Sequence, residues 1–109
     1  MAGQYKITDR IQFVADASGD AEVELGSLTG VLIEFAYIQE DSTSPSIVIR
    51  DTSDEFDILN GEGANLTAST KLTIDADFPV QVMSGPVKAV ISGAGSGRTG
   101  LIQLKVKQL

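Results

Sequence analysis

A chain of 109 residues with a formal net charge of −7 suits one domain spanning residues 1–109, built around a modest core. His, Cys and Trp are all absent, which excludes His-centred triads, thiol nucleophiles, disulfide scaffolds, thiolate metal sites and haem ligation by His. The acidic balance opposes nucleic-acid binding, Met1 to Arg10 lacks the apolar stretch of a secretory signal, and no apolar run approaches the length of a membrane span. A protein is therefore the expected partner, and a cytoplasm the expected place of synthesis.

Apolar residues alternate with a period of two from end to end, and nowhere do they keep helical spacing for three turns. Ile11, Phe13 and Ala15 share one face of the first strand. Ser18-Gly19-Asp20 signals a turn, after which Val23 and Leu25 oppose Glu22 and Glu24. From Val31 to Ile38, one side carries Val31, Ile33, Phe35 and Tyr37 and the other Leu32, Glu34, Ala36 and Ile38, which predicts a central strand covered on both faces. A Ser/Thr-rich loop ending at Pro45 leads into Ile47, Val48 and Ile49. Phe56 to Leu59 precedes Asn60-Gly61, a pair suited to a type I′ turn because both central residues need positive φ. Leu72 and Ile74 alternate with Lys71 and Thr73, Val80 and Val82 flank Gln81, and Ser84-Gly85-Pro86 predicts a break before Val87 to Ile91. Beyond the glycine-rich loop Gly93 to Gly97, the last strand directs Ile102, Leu104 and Val106 inward and Gln103, Lys105 and Lys107 outward. About eight short strands at near-regular spacing predict an all-β fold, an antiparallel β-sandwich of jelly-roll-like design.

Motifs with chemistry are scarce. Gly95-Ser96-Gly97-Arg98-Thr99-Gly100 matches the G-x-G-x-x-G fingerprint, but that motif cradles a pyrophosphate only where a helix leaves it, and Leu101 to Leu109 alternates as a strand. A mobile hairpin loop is the preferred reading, and no cofactor is expected. Asp51, Asp54, Glu55 and Asp57 do not follow the spacing of an EF-hand loop, so a solvated connection between strands is preferred to a calcium site. Aromatics make up 6% of the chain, too few for the lined cleft of a glycosidase, a sugar-stacking module or a single-strand-binding barrel. The chain reads as a non-enzyme. Most of Tyr5, Phe13, Phe35, Tyr37, Phe56 and Phe78 are expected in the core. The sequon Asn65-Leu66-Thr67 is a chance match in a chain without a secretory signal.

The C-terminal third carries a resemblance. Val80-Gln81-Val82-Met83-Ser84-Gly85-Pro86-Val87-Lys88, a glycine-rich loop, and Arg98-Thr99-Gly100-Leu101-Ile102-Gln103-Leu104 together resemble the ending of small structural proteins of tailed-bacteriophage virions. The resemblance implies a capsid cement or decoration protein that braces neighbouring major capsid subunits on the outer head surface, with a head–tail connector or tail component as the alternative. It further implies homo-oligomeric action, with a trimer as the first expectation, assembly in the host bacterial cytoplasm and residence on the capsid exterior. A ligand- or glycan-binding β module is the rival from a different class.

Charge is distributed unevenly in a way the total conceals. From Phe78 to the C-terminus stand Lys88, Arg98, Lys105 and Lys107 with no carboxylate, while all 15 acidic residues precede them. Arg98, Gly95 and Gly97 of the glycine-rich loop, with Lys88, Lys105 and Lys107, are the expected partner-binding residues. The competing reading places Lys105 and Lys107 on the solvated face of an edge strand, where lysine deters edge-to-edge aggregation.

Overall fold

The computed structural model describes residues 5–51, 56–74, 76–78 and 82–108. Among them are seven strands and no helix: β1 (Tyr5–Ile7), β2 (Ile11–Val14), β3 (Ala21–Gln39), β4 (Ser46–Asp51), β5 (Thr70–Thr73), β6 (Val82–Ser92) and β7 (Thr99–Lys107). All ladders are antiparallel and run in the order β1-β7-β3-β6-β4, with β2 also on β7 and β5 also on β3. The all-β antiparallel expectation holds, and the fold is consistent with a sandwich. Among the described residues seven strands stand against about eight expected: Val82 joins Val87 to Ile91 in one strand, Tyr5–Ile7 adds one, and the segments at Val23 and at Val31 to Ile38 merge into another.

That merged strand is β3, which organises the molecule. Nineteen residues in a straight strand would span roughly 60 Å at about 3.3 Å per residue, whereas the longest dimension of the protein is 45 Å. β3 therefore bends, and its ladders show where. Its first half pairs with β6 and its second half with β7 and β5. The register slips once between Glu24 and Gly26 and again between Leu32 and Glu34. Each slip adds an unpaired residue and inverts the in-and-out alternation. Leu25 and Leu28 are consequently both buried although three apart, and Leu32 shares the interior with Phe35 and Tyr37. The predicted face of Val31, Ile33, Phe35 and Tyr37 is thus corrected: Val31 and Ile33 are only half-buried. β3 is central, as expected, with partners on both edges and half-buried residues on its outer face.

Ser84-Gly85-Pro86 also departs from expectation. It is not a break but lies inside β6, paired with Thr29, Leu28 and Ser27 of β3. Val87, Ala89 and Ile91 then face the core, as do Ile47 and Ile49 of β4 and Ile102, Leu104 and Val106 of β7. Phe13, Phe35, Tyr37 and Phe78 are buried, while Tyr5 and Phe56 are exposed. Asn60 and Gly61 have φ of 52° and 84°, and the Glu62 amide donates to the Leu59 carbonyl, so the predicted turn forms. It closes a looped segment rather than a hairpin, because Ile58 and Leu59 insert into the core. Within the predicted Val80–Val82 strand, Val80 and Gln81 lie outside the described residues, as do Asp54 and Glu55 of the acidic stretch.

Candidate functional site

Because β3 doubles back, its two ends and the β6–β7 loop meet at one end of the molecule. The Ala94 amide donates to the Gly19 carbonyl at 2.9 Å, and the Gly97 amide to the Ala15 carbonyl at 3.1 Å. The Thr43 hydroxyl donates to the Ala94 carbonyl. A Cβ on Gly19, whose φ is +83°, would stand 2.7 Å from the Gly95 nitrogen, closer than real Cβ atoms approach. The glycine-rich segment is therefore tied to the Asp16–Asp20 turn, which corrects the expectation of a mobile hairpin loop. Asp16 holds that turn through Oδ1, accepting from the Ser18 and Asp20 amides at 2.8 and 3.1 Å.

Arg98 sits on this loop. Its amide donates to the Gly95 carbonyl at 3.2 Å and its carbonyl accepts from Ala15 at 2.8 Å. A Cβ on Gly95 would lie 3.2 Å from Arg98 Cγ, so the aliphatic stem passes over that glycine and the side chain is exposed. Next along the chain, Asp41 Oδ2 accepts from the Thr99 amide at 2.8 Å and from its hydroxyl at 3.3 Å. A carboxylate from the β3–β4 connection thereby anchors the start of β7.

The other predicted cations lie elsewhere. Lys105 and Lys107 are seven and nine residues beyond Arg98, roughly 23 and 30 Å along an extended strand. They share the outer face of β7 with Tyr5 and Ile7, their cross-strand partners on β1. Lys105 Nζ stands 5.1 Å from the centre of the Tyr5 ring, a cation–π arrangement. β7 has β1 and β2 on one edge and β3 on the other, so it is not an edge strand, and edge protection does not account for its lysines. Lys88 lies on β6 between Glu24 of β3 and Arg50 of β4, and its Nζ donates to Glu22 Oε1 at 2.9 Å. This contact holds the Glu22 carboxyl below its usual pKa, through the hydrogen bond first and the charge of Lys88 second.

Two motifs acquire structural roles. Asp57 Oδ1 accepts from the amides of Ile49 and Leu59, and its Oδ2 from that of Gly61, while the buried Asp51 accepts from the Ser84 amide at 2.6 Å. These two members of the acidic stretch turn their oxygens toward backbone donors, so the stretch is more than a solvated connection. Gly100, the last glycine of the G-x-G-x-x-G match, lies in a strand under the rings of Phe13 and Tyr37, which a Cβ would meet at 2.7 and 2.8 Å. Tyr5, grouped by sequence with the aromatics expected mostly in the core, is instead exposed beside Ile7, for which no role was expected; their alternation with Lys6 in a short N-terminal strand was the available signal.

No protein-family model matches the sequence, and the search of curated proteins found no match. Among solved structures, a chain in the cyanophage Pam1 capsid asymmetric unit is similar in fold, with a TM-score of 0.54 at 11% identity. The likeness covers 97% of this chain and 84% of that one. At this identity the likeness is one of fold alone, shared with a chain of a phage capsid.

Proposed function

We propose that this chain is a non-enzymatic structural protein of a phage virion, a cement or decoration protein on the outer surface of the head. The observation that carries the reading is the near full-length fold similarity to a chain of a capsid asymmetric unit. A component of that repeating unit belongs to the shell, which favours the head over the head–tail connector or tail alternative. The resemblance of the C-terminal strands to small virion proteins supports a virion role without choosing between head and connector. A compact sandwich with loops gathered at one end can touch a capsid subunit there while its remaining surface braces another. Its partner is the major capsid protein or another virion protein, and it assembles there after synthesis in the bacterial cytoplasm. The whole chain, residues 1–109, acts as one β-sandwich domain and as a homo-oligomer, with a trimer as the working stoichiometry.

In this reading Arg98, carried on Gly95 and Gly97, meets an acidic patch of the capsid subunit, with Lys88, Lys105 and Lys107 adding to the attraction. The test is co-sedimentation with purified heads. Binding to heads supports the cement role, presence only in tail fractions supports the connector or tail alternative, and recovery as a free protein that binds sugars supports a glycan-binding module. Arg98→Glu should slow head binding and flatten its dependence on ionic strength, because rim charges act mainly on association. Normal head binding by that variant at low salt would remove Arg98 from the docking surface.

A further inference from the structure

The end of the molecule opposite the loop cluster exposes a compact amphipathic patch. Cross-strand register aligns Tyr5 of β1, Lys107 of β7, Val31 of β3 and Val82 of β6 in one row on the outer face, with Ile7 and Lys105 beside it. Tyr5, Ile7 and Val82 are 57%, 60% and 52% exposed, a concentration of large apolar side chains that a solvent-facing sheet does not need. The carboxylate aligned with Lys105, Glu34, faces Lys71 at 3.7 Å on the far side of β3. Apolar contacts flanked by lysines, on a chain of net charge −7, call for an acidic counterpart.

This same chain presents such a surface at its other end. A groove of about 440 Å³ opens between the Asp16–Asp20 turn and β6. Ala21 and Val90 contribute apolar surface to it, and Asp16, Asp20 and Glu22 contribute carboxylates, of which Glu22 pairs with Lys88 and also feels the charge of Arg50. Pairing two basic patches about a twofold axis would set Lys105 and Lys107 against their own copies. Pairing the patch with the groove sets lysines against carboxylates and Tyr5 and Ile7 against apolar surface.

We propose that a second copy of this chain docks here head to tail, the Tyr5-Ile7-Lys105-Lys107 patch of one protomer entering the Asp16-Asp20-Glu22 groove of the next. Such a contact is heterologous, so it propagates until rotation closes a ring. The inference deepens the homo-oligomeric part of the proposed function and rests on it, but it does not depend on the capsid role, since the contact joins copies of this chain.

Sedimentation velocity of the purified protein without heads tests it, and leaves the outcome of head binding separate. The wild-type protein should associate in a concentration-dependent manner, more weakly at high salt. Lys105→Glu with Lys107→Glu, and separately Asp20→Lys with Glu22→Lys, should each weaken self-association about tenfold or more while keeping the far-UV spectrum of the wild type. An equimolar mixture of the two should associate again, because each restores opposite charge to the other. Should a charge-reversed variant fail to fold, Tyr5→Ser with Ile7→Ser replaces it, with the same loss expected. A wild-type chain that stays monomeric at about 1 mM overturns the proposal and leaves the patch to a different acidic protein. So does a folded variant that associates like the wild type, or a mixture of folded variants that stays apart.

Discussion

Phe13 and Tyr37 stack across the interior with ring centroids 6.4 Å apart and planes 21° from parallel, and Gly100 lies beneath both rings. The pair joins β2 to β3 over a position of β7 that has no side chain. The G-x-G-x-x-G match therefore ends in a glycine retained for packing.

Gly100→Ala is expected to destabilise the fold by about 1–3 kcal/mol, the usual cost of forcing a methyl group into a packed core. The melting temperature should fall by several degrees, read by circular dichroism. An unchanged melting temperature would show that the two rings move aside freely.

Thr8 links β1 and β2 along the edge of β7. Its hydroxyl oxygen accepts from the Leu104 amide at 3.0 Å, and its own amide donates to the Leu104 carbonyl at 2.9 Å. Thr8→Val keeps the shape but strands a buried donor, with an expected cost of about 1–3 kcal/mol. Thr8→Ser should retain most of the stability. Urea denaturation of the pair measures the difference, and equal midpoints for Val and Ser would dismiss the hydrogen bond.

Tyr37 buries its hydroxyl without a hydrogen-bond partner among the described residues. Burial raises its pKa above the ordinary 10.0, with Asp41 and then Glu40 adding to the shift. A raised pKa in the folded state means that this contribution to stability is complete below the unfolded value and is lost as pH climbs toward and through the folded one. Tyr37→Phe should leave stability at neutral pH unchanged or improved by up to about 1 kcal/mol. It should also reduce the loss above pH 10, where comparison of alkaline unfolding curves is decisive.

Glu22 responds to pH in the opposite direction. Its carboxyl lies below the ordinary 4.5 because of Lys88, so its contribution is present above the unfolded value and fades as pH falls through the folded one. Both groups face solvent, so the effect is small and sensitive to salt. Lys88→Met should flatten the decline in stability below pH 4.5, most visibly at low ionic strength. Acid titrations that superimpose with those of the wild type would dismiss the ion pair.

Much of this architecture could be read from local pattern. Ile102, Leu104 and Val106 alternate with Gln103, Lys105 and Lys107 because strand side chains point to opposite faces in turn, and that rule needs no knowledge of neighbours. Asn60-Gly61 makes its turn because these residue types tolerate positive φ. The charge asymmetry that nominated Arg98, Lys88, Lys105 and Lys107 is likewise a property of the chain. Tertiary structure decided the rest. Val31 and Leu32 exchanged their expected roles because a slip of one residue at Ile33 inverts the alternation, and such a slip is chosen by pairing with β7. Ser84-Gly85-Pro86 stayed within a strand because β3 offered it a partner. Where the four cations stand relative to one another depended on the bend of β3, since a fold-back brings together the ends of a strand that local sequence can only describe as extended.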